Sequence, residues 1–309
     1  MEISFIVPLF NHLKHTQAML ASLLASLPPC LDYEIILVDD FSTDGTRAWL
    51  ATLSHPRIKV VLNPQNLAYA ASNNAGARMA SGELLALLNN DLLLAPGWLE
   101  PMVYVLRHPG LNAGLVGNVQ YRVDDGRLDH AGVRLNHRGQ FEHIPSLPHS
   151  GVGYQRSLAL TGACLLIRKI DFESTGGFDE SFINGCEDLD LCFKVRTSGK
   201  QLFVALASHI QHHVSLSRGR HTLQDSRNSQ RLYAKWRTSI KSNLASELAS
   251  SMNDGTWIGA SQHTHPEAIT SPDRPYAAAL ILSETMLQRE ESYWARRLAA
   301  PPQAGESQQ

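Results

Sequence analysis

Residues 83–91 read "ELLALLNND". Apolar residues fill positions 84–88 without a break, as in a strand buried on both faces. The run stops in Asn89, Asn90 and Asp91, two amides and a carboxylate placed where the chain leaves the core. By itself "NND" is a turn, because Asn and Asp bond their own backbone. The alternative is that Asp91 offers a hard oxygen ligand to a divalent cation.

Upstream, "ISFIVP" (3–8), "EIILVDD" (34–40) and "IKVVLN" (58–63) are apolar runs of the same kind. Helical patterns separate them. Leu20, Leu23, Leu24 and Leu27 keep the i, i+3, i+4, i+7 spacing, "STDGTRAWLATL" starts with capping residues at Ser42–Asp44, and "AYAASNNAGARMA" is rich in Ala. Strands alternating with helices predict parallel pairing through right-handed crossovers, with ligands bound beyond the carboxyl ends of the strands. Those ends carry Pro8 and Asn11, Asp39 and Asp40, Asn63 and Asn66, and Asn89 to Asp91. Four successive strands thus deliver polar or turn residues to one rim.

The rest of the chain is read more coarsely. "GWLEPMVYVLRH" predicts a helix, residues 114–160 stay unassigned, and "LALTGACLLIRK" (158–169) predicts a strand. A helix is expected from about Glu187 to Thr197, ended by Gly199, with Leu189, Cys192 and Val195 on its buried side. "QLFVALASHIQHHV" predicts a last strand. From about 220 the pattern is helical, with a linker near 253–275, an amphipathic helix over 283–299 and a disordered tail, "PPQAGESQQ".

Composition bounds the function. The chain has 309 residues, 43% hydrophobic and 18% charged, which fits a globular protein. A formal net charge of −2 sets up no basic field for nucleic acid. No apolar run is long enough to span a bilayer, and "MEISFIVPLFN" lacks a basic start and a small-residue cleavage site. Cys30, Cys164, Cys186 and Cys192 form no Cys-x-x-Cys pair and are expected as reduced, buried thiols of a cytoplasmic protein.

"FIVPLFN", "VDDFSTDGT", "NLAYAASNNAGARMASGELLALLNND", "TGACLLIRK", "GGFDESFINGCEDLDLCFKV" and "HHVSLSRG" follow one another in that order. Together they resemble the family 2 glycosyltransferases of GT-A fold, most of all the bacterial rhamnosyltransferase-like and O-antigen branch, over about residues 3–240. "DGRLDHAGV" has a counterpart there too. The resemblance implies an α/β fold with a mostly parallel central sheet in one Rossmann-like nucleotide-binding domain (1–220), comprising a donor half (1–95) and an acceptor half (96–220). Residues 221–309 follow as a helical extension. Two positions depart from the family pattern. Ala68 stands where Gly is usual, and Asn89-Asn90-Asp91 stands for Asp-x-Asp, leaving one carboxylate.

The expected chemistry is transfer of a sugar from a UDP- or dTDP-sugar to a hydroxyl of a glycan or lipid-linked acceptor. Asp39 or Asp40 would accept hydrogen bonds from a pyrimidine N–H or ribose hydroxyl. Pro8, Asn11, Asn66, Asn74, Gly76 and Asn90 would line the same pocket. Asp91 would hold Mn²⁺ or Mg²⁺, helped by His212 or His213, and Arg218 would offer a forked donor to the phosphates. In "CEDLDLC", Asp188 takes the base position and Glu187 orients the loop or meets the acceptor. Thr161 and Gly162 would form the acceptor wall, while Trp98 serves either a sugar ring or the core. One base without a placed nucleophile implies direct displacement with inversion, whereas a two-carboxylate hydrolase would need water as acceptor. Any membrane contact would be peripheral, at the inner face of the cell membrane. A catalytically silent nucleotide-sugar-binding scaffold is the alternative. A nucleotidyltransferase fits less well, since "FIVPLFNHLKH" has no Gly-rich phosphate loop.

Overall fold

The computed structural model describes residues 1–148, 153–213, 222–253 and 274–299. Arg218, most of the expected linker and the C-terminal tail lie outside these residues. The chain divides into two compact units, Met1–Val133 with His143–Arg218, and Arg134–Glu142 with Gly219–Gln309.

In chain order the strands are β1 (Ile3–Leu9), β2 (Tyr33–Asp39), β3 (Ile58–Leu62), β4 (Leu84–Leu88), β5 (Leu92–Leu94), β6 (Ala113–Arg122), β7 (Leu128–His130), β8 (Val133–Leu135), β9 (Phe141–His143), β10 (Tyr154–Arg156), β11 (Cys164–Arg168) and β12 (Gln201–His212). The helices are α1 (Leu13–Ser26), α2 (Thr46–Leu50), α3 (Ala68–Met79), α4 (Leu99–Arg107), α5 (Lys169–Ser174), α6 (Glu187–Thr197), α7 (Leu223–Asn253) and α8 (Arg274–Ala299). The main sheet runs β10-β12-β6-β11-β4-β1-β2-β3, with β5 on β12 and β7 on β6, and β8 pairs with β9 separately.

The expectation of a mostly parallel sheet holds for the first 90 residues and needs correction beyond them. β3, β2, β1 and β4 are parallel, as their unbroken apolar runs require. β11 then descends antiparallel to both β4 and β6, and β12 rises parallel to β6. The sheet is therefore mixed. The reversal has a use: β11 starts at the rim where β4 ends, so Asn89 N–H donates to the Ala163 carbonyl at 2.9 Å. The "LTGA" segment thereby reaches the same edge as "NND".

The core lies where the sequence puts it. Ile3, Phe5, Ile6, Val7 and Leu9 of β1 and Leu84, Leu85, Leu87 and Leu88 of β4 are all fully buried. β3 is an exception. It forms the sheet edge, and Val60 and Leu62 face solvent, with Lys59 beside them as a charged edge residue. α3 packs onto β1 and β2 through Gly76. A Cβ there would lie 2.5 Å from Ile6 Cγ2 and 3.1 Å from Val38 Cγ2. Gly76, expected near the nucleotide, serves helix packing instead. α2 is one turn, shorter than "STDGTRAWLATL" predicts, and starts after Gly45 at φ +93°. α6 has the predicted bounds, but Leu189 is only half-buried; Leu191, Cys192, Phe193 and Val195 carry its core face.

In the second unit, α7 breaks its helical backbone at Trp236 (φ −114°, ψ 18°). Arg237 pairs with Glu284 at 2.6 Å and Glu291 at 2.7 Å on α8. Ile240, Leu244, Leu248 and Leu287 are buried, and the Tyr233 hydroxyl donates to the Gly139 carbonyl. No helix among the described residues is long and apolar enough to cross a membrane.

The four cysteines are free. Cys164 and Cys192 are buried, and burial raises both thiols far above their usual range. Cys30 is exposed and Cys186 half-buried, which corrects the expectation that all four lie in the core.

Candidate donor and metal site

The two adjacent aspartates at the end of β2 do different jobs. Asp40 is consumed by the following loop. Its Oδ1 accepts from Asn63 Nδ2 (2.9 Å) and Leu67 N–H (2.7 Å), and its Oδ2 from Ala68 N–H (2.9 Å). These bonds hold Ala68 at φ +69°, a left-handed backbone in which an L side chain is disfavoured. The family's usual Gly at this position thus has a physical reason. Asp39 Oδ2 takes Arg47 Nε at 2.6 Å and Ser42 N–H at 3.2 Å, while its buried Oδ1 has no partner. A buried acceptor left unpaired costs stability unless something else satisfies it. Asp39 Oδ1, unlike either oxygen of Asp40, has no protein partner and is the freer acceptor of the two carboxylates.

Asn11 builds this edge of the rim. It adopts φ +56°, donates its N–H to Ser42 Oγ (2.8 Å) and accepts Thr43 N–H on its side-chain oxygen (2.8 Å). Pro8 is buried in β1 opposite Val38. Asn66 is exposed and caps Ala68 N–H at 3.2 Å. Asn74 is a correction. Its amide donates to the Phe178 carbonyl and Glu180 Oε1, both at 2.9 Å, and accepts Phe178 N–H at 3.0 Å. It holds the 178–180 turn. Trp98 is 1% exposed and donates Nε1–H to Ser26 Oγ, so it is a core residue.

Sheet register closes the long gap between "NND" and "HH". β5 runs antiparallel to β12 with His212 opposite Leu92, and His213 N–H donates to the Asp91 carbonyl at 3.1 Å. Asp91 Oδ1 lies 3.2 Å from His212 Nε2. Asp91 Oδ1 and His212 Nδ1 are both buried without a hydrogen-bond partner. Ligands at right angles around a cation, each about 2.1 Å from it, sit about 3 Å apart. The pair therefore fits a shared divalent ion, with one hard oxygen and one imidazole. His213 points elsewhere. Its ring meets His15 edge-on at 4.8 Å, and burial, with His15 nearby, holds its pKa below the usual histidine value. Asn90 leans on α1, donating to Thr16 Oγ1 at 2.9 Å, and so fixes the loop that carries Asp91.

At the start of α6, Asp188 Oδ2 accepts Gly162 N–H and its Oδ1 accepts Leu189 N–H, both at 2.8 Å. A carboxylate has about four lone-pair positions, so each oxygen keeps one free. A Cβ on Gly162 would stand 3.2 Å from the Tyr69 hydroxyl and 3.4 Å from Asp188 Cβ. A side chain there would crowd both Tyr69 and Asp188. Glu187 turns back to accept Gly185 N–H at 2.5 Å, the loop-orienting option of its two expected roles. Thr161 Oγ1 meets His130, 3.2 Å from its Nε2.

Sequence reasoning missed Tyr69. Its hydroxyl donates to the Gly162 carbonyl at 2.7 Å, so Gly162 is held from both sides, by Tyr69 and by Asp188. Burial, then the charges of Glu187 and Asp188, raise the phenol well above its ordinary pKa and keep it a neutral donor. The available signal was one large polar residue in the Ala-rich first turn of α3.

Known proteins fit this arrangement. The family described as Glycosyl transferase family 2 matches residues 4–174. An uncharacterized protein, y4gI, of Sinorhizobium fredii is 35% identical over 70% of this chain, and the O-antigen biosynthesis protein RfbC of Myxococcus xanthus is 32% identical over 70%. The chain spans only 25% and 18% of the lengths of these two relatives. Among solved structures, GalNAc-T7 with UDP, GalNAc and Mn²⁺ superposes with a TM-score of 0.67 at 16% identity, covering 97% of this chain and 56% of that one. The mannosyltransferase PcManGT of Pyrobaculum calidifontis, with GDP-Man and Mn²⁺, gives 0.54 at 21% identity, covering 98% and 76%. At these identities the two structures establish the shared GT-A fold. The chain belongs to glycosyl transferase family 2.

Proposed function

We propose that the chain transfers a sugar from a nucleoside diphosphate sugar to a hydroxyl of a glycan or lipid-linked acceptor, with inversion at the anomeric carbon. The observation that carries this reading is the Asp91–His212 pair, with the buried, unpaired Asp91 Oδ1 3.2 Å from His212 Nε2, on the rim that also holds Asp39 Oδ1. Names of relatives and fold neighbours support the class of reaction and of metal; the sugar, base and acceptor are our own inference.

Asp39 Oδ1 accepts the imide N–H of a uracil or thymine base, with Asn11 and the Pro8 strand end forming the adjacent wall. Asp91 and His212 hold Mn²⁺ or Mg²⁺, which when bound acts as a Lewis acid on the departing diphosphate. Asp188 accepts the acceptor hydroxyl's proton as that oxygen bonds to the anomeric carbon and the bond to the diphosphate oxygen breaks. Tyr69 and Gly162 keep the carboxylate in place. In this reading residues 1–95 form the donor half, 96–220 the acceptor half and 221–309 a helical extension, which residues 134–142 join as one compact unit.

The test is thermal unfolding with UDP, dTDP and GDP, each with and without Mn²⁺, followed by donor consumption assays. UDP or dTDP is expected to raise Tm only when Mn²⁺ is present, with a smaller rise for GDP. No shift with any nucleotide would sink the donor site. Binding without donor consumption across diverse acceptors would leave a silent nucleotide-sugar-binding module.

A further inference from the structure

A second group of metal-ligating side chains lies on the acceptor side of the sheet, and none of the donor-site roles above uses it. Asp129, His130 and His143 bring one ligand atom each to within 4.8 Å of the others. Asp129 Oδ2 is 3.9 Å from His130 Nε2 and 3.9 Å from His143 Nδ1. The two imidazole rings lie 4.4 Å apart, tilted by 48°. We propose that these three residues form a binding site for a zinc-class cation, separate from Asp91 and His212.

The backbone builds the cluster before any ion arrives. Asp129 and His130 sit on β7, which pairs with β6 through Gln120 and His130. His143 closes β9, and Ile144 fastens that end to β7 by two bonds: Ala131 N–H to the Ile144 carbonyl (2.9 Å) and Ile144 N–H to the Gly132 carbonyl (3.0 Å). Two segments separated by a 12-residue excursion, 131–142, are thus clamped with their ligand atoms facing.

The chemistry suits a borderline cation. Two imidazoles and one carboxylate are a recurrent zinc set that leaves a fourth position for water. Tetrahedral ligands about 2.1 Å from zinc stand about 3.4 Å apart. The 3.9 Å separations close to that with a shift of about half an ångström, within reach of His143, whose side chain is 42% exposed. His130 is 3% exposed, and burial drives its pKa down to about 3, so it stays in the neutral form that ligates. Nδ1 of His130 accepts Gly132 N–H at 3.4 Å, so without metal the proton sits on Nε2, toward Thr161 Oγ1 at 3.2 Å. Ligation through Nε2 moves that proton to Nδ1. It gives up the 3.4 Å contact, at the weak end of hydrogen bonding, and the 3.2 Å contact with Thr161 Oγ1.

The consequence reaches the acceptor wall. Thr161 adjoins Gly162, whose N–H is held by Asp188. A cation on His130 Nε2 takes the position that Thr161 Oγ1 now contacts, so it ties His130 to Asp129 and His143 and releases Thr161 from His130. The role is positioning, and the proposal stands whether or not the donor-site reading does.

The experiment uses the full chain, stripped of metal by chelation, then titrated with Zn²⁺ and, as a spectroscopic probe, Co²⁺. Tetrahedral cobalt absorbs intensely in the visible, whereas an octahedral ion at Asp91 and His212 does not. Wild type should show that absorption and a Zn²⁺-dependent rise in Tm. H143A, at an exposed position, should abolish the absorption and weaken the Zn²⁺ binding that accompanies it at least tenfold; D129N should do the same, and D91N should leave the absorption unchanged. Absence of Zn²⁺ binding at micromolar concentration, survival of the absorption in H143A, or its loss in D91N would overturn the proposal.

Discussion

Asp91 Oδ1 stands 3.2 Å from His212 Nε2, across 121 residues of sequence, because β5 and β12 pair in antiparallel register. Neither Asp91 Oδ1 nor His212 Nδ1 has a hydrogen-bond partner. Removing either ligand should therefore separate nucleotide binding from metal. D91A and H212A are each expected to weaken nucleotide affinity at saturating Mn²⁺ by about tenfold or more, roughly 1.4 kcal/mol. Without metal the affinity should barely change. H213A, whose ring packs on His15, should lose much less. Calorimetric titration of UDP with and without Mn²⁺ measures all of this, and equal effects for the two histidines would refute the assignment.

Asp188 answers to a different readout. D188N removes the proton acceptor, and loss of a general base costs about 10²- to 10⁴-fold in turnover. Nucleotide affinity should stay near wild type, because Asp188 lies on α6 while the base and metal residues lie on β2, just before β5 and on β12. Asn has one acceptor oxygen where Asp188 serves two N–H groups, Gly162 and Leu189. One of these bonds is lost, at a cost of about 1 kcal/mol in stability. A melting curve run beside the kinetics separates that structural loss from the chemical one. Turnover at the wild-type rate would remove Asp188 as the base.

How much of this was legible in the sequence depended on the kind of signal. α6 appeared with its bounds, since Gly199 and the carboxylates of "CEDLD" mark its two ends in chemistry that is purely local. Asp91 and the "HH" pair were legible as strand ends, but choosing His212 over His213 needed the register with β5, which no local pattern encodes. Asp39 and Asp40 look alike in the sequence and differ only in what the 63–68 loop consumes. Asn74 and Gly76 were read toward the nucleotide, while side-chain bonding to 178–180 and close packing on Ile6 account for them. The sheet was taken as mostly parallel because β11 and β6 are apolar whichever way they run. Of the Asp129–His130–His143 group, only the first two stood out, within "DGRLDHAGV", and nothing local tied them to His143 in a stretch, 114–160, that had no readable period.

Ala68 offers a test of backbone strain. It sits at φ +69°, where a Cβ costs about 1–2 kcal/mol that glycine does not incur. A68G returns part of this as unfolded-chain entropy, about 0.4–1 kcal/mol. The net expectation is a gain of up to about 1 kcal/mol, seen as a higher denaturant midpoint with an unchanged m-value. A68V, β-branched in the same left-handed position, should lose stability by more than A68G gains. A destabilised A68G would mean that the Asp40 bonds to Leu67 and Ala68 do not impose this backbone in solution.

Glu34 sets the acid limit of the donor half. Its side chain is 2% exposed at the far end of β2 from the rim. Burial by itself would raise its pKa. That effect is outweighed by Lys59 at 2.5 Å, Ser4 Oγ at 2.7 Å, and Ser81 through its N–H (2.6 Å) and Oγ (2.7 Å), which together bring the pKa to about 2. A carboxylate with a folded-state pKa below its unfolded value releases its proton more readily in the native chain. Its stabilisation is therefore fully present above the unfolded value of 4.5 and is lost as pH falls toward 2. Across that window the loss amounts to about 3 kcal/mol. E34Q cannot titrate. Its stability should be lower than wild type at pH 7, and the gap should narrow steadily on acidification through this range. Urea midpoints measured for both proteins from pH 7 to pH 3 report the difference, and parallel curves would show that Glu34 titrates alike in the folded and unfolded chains.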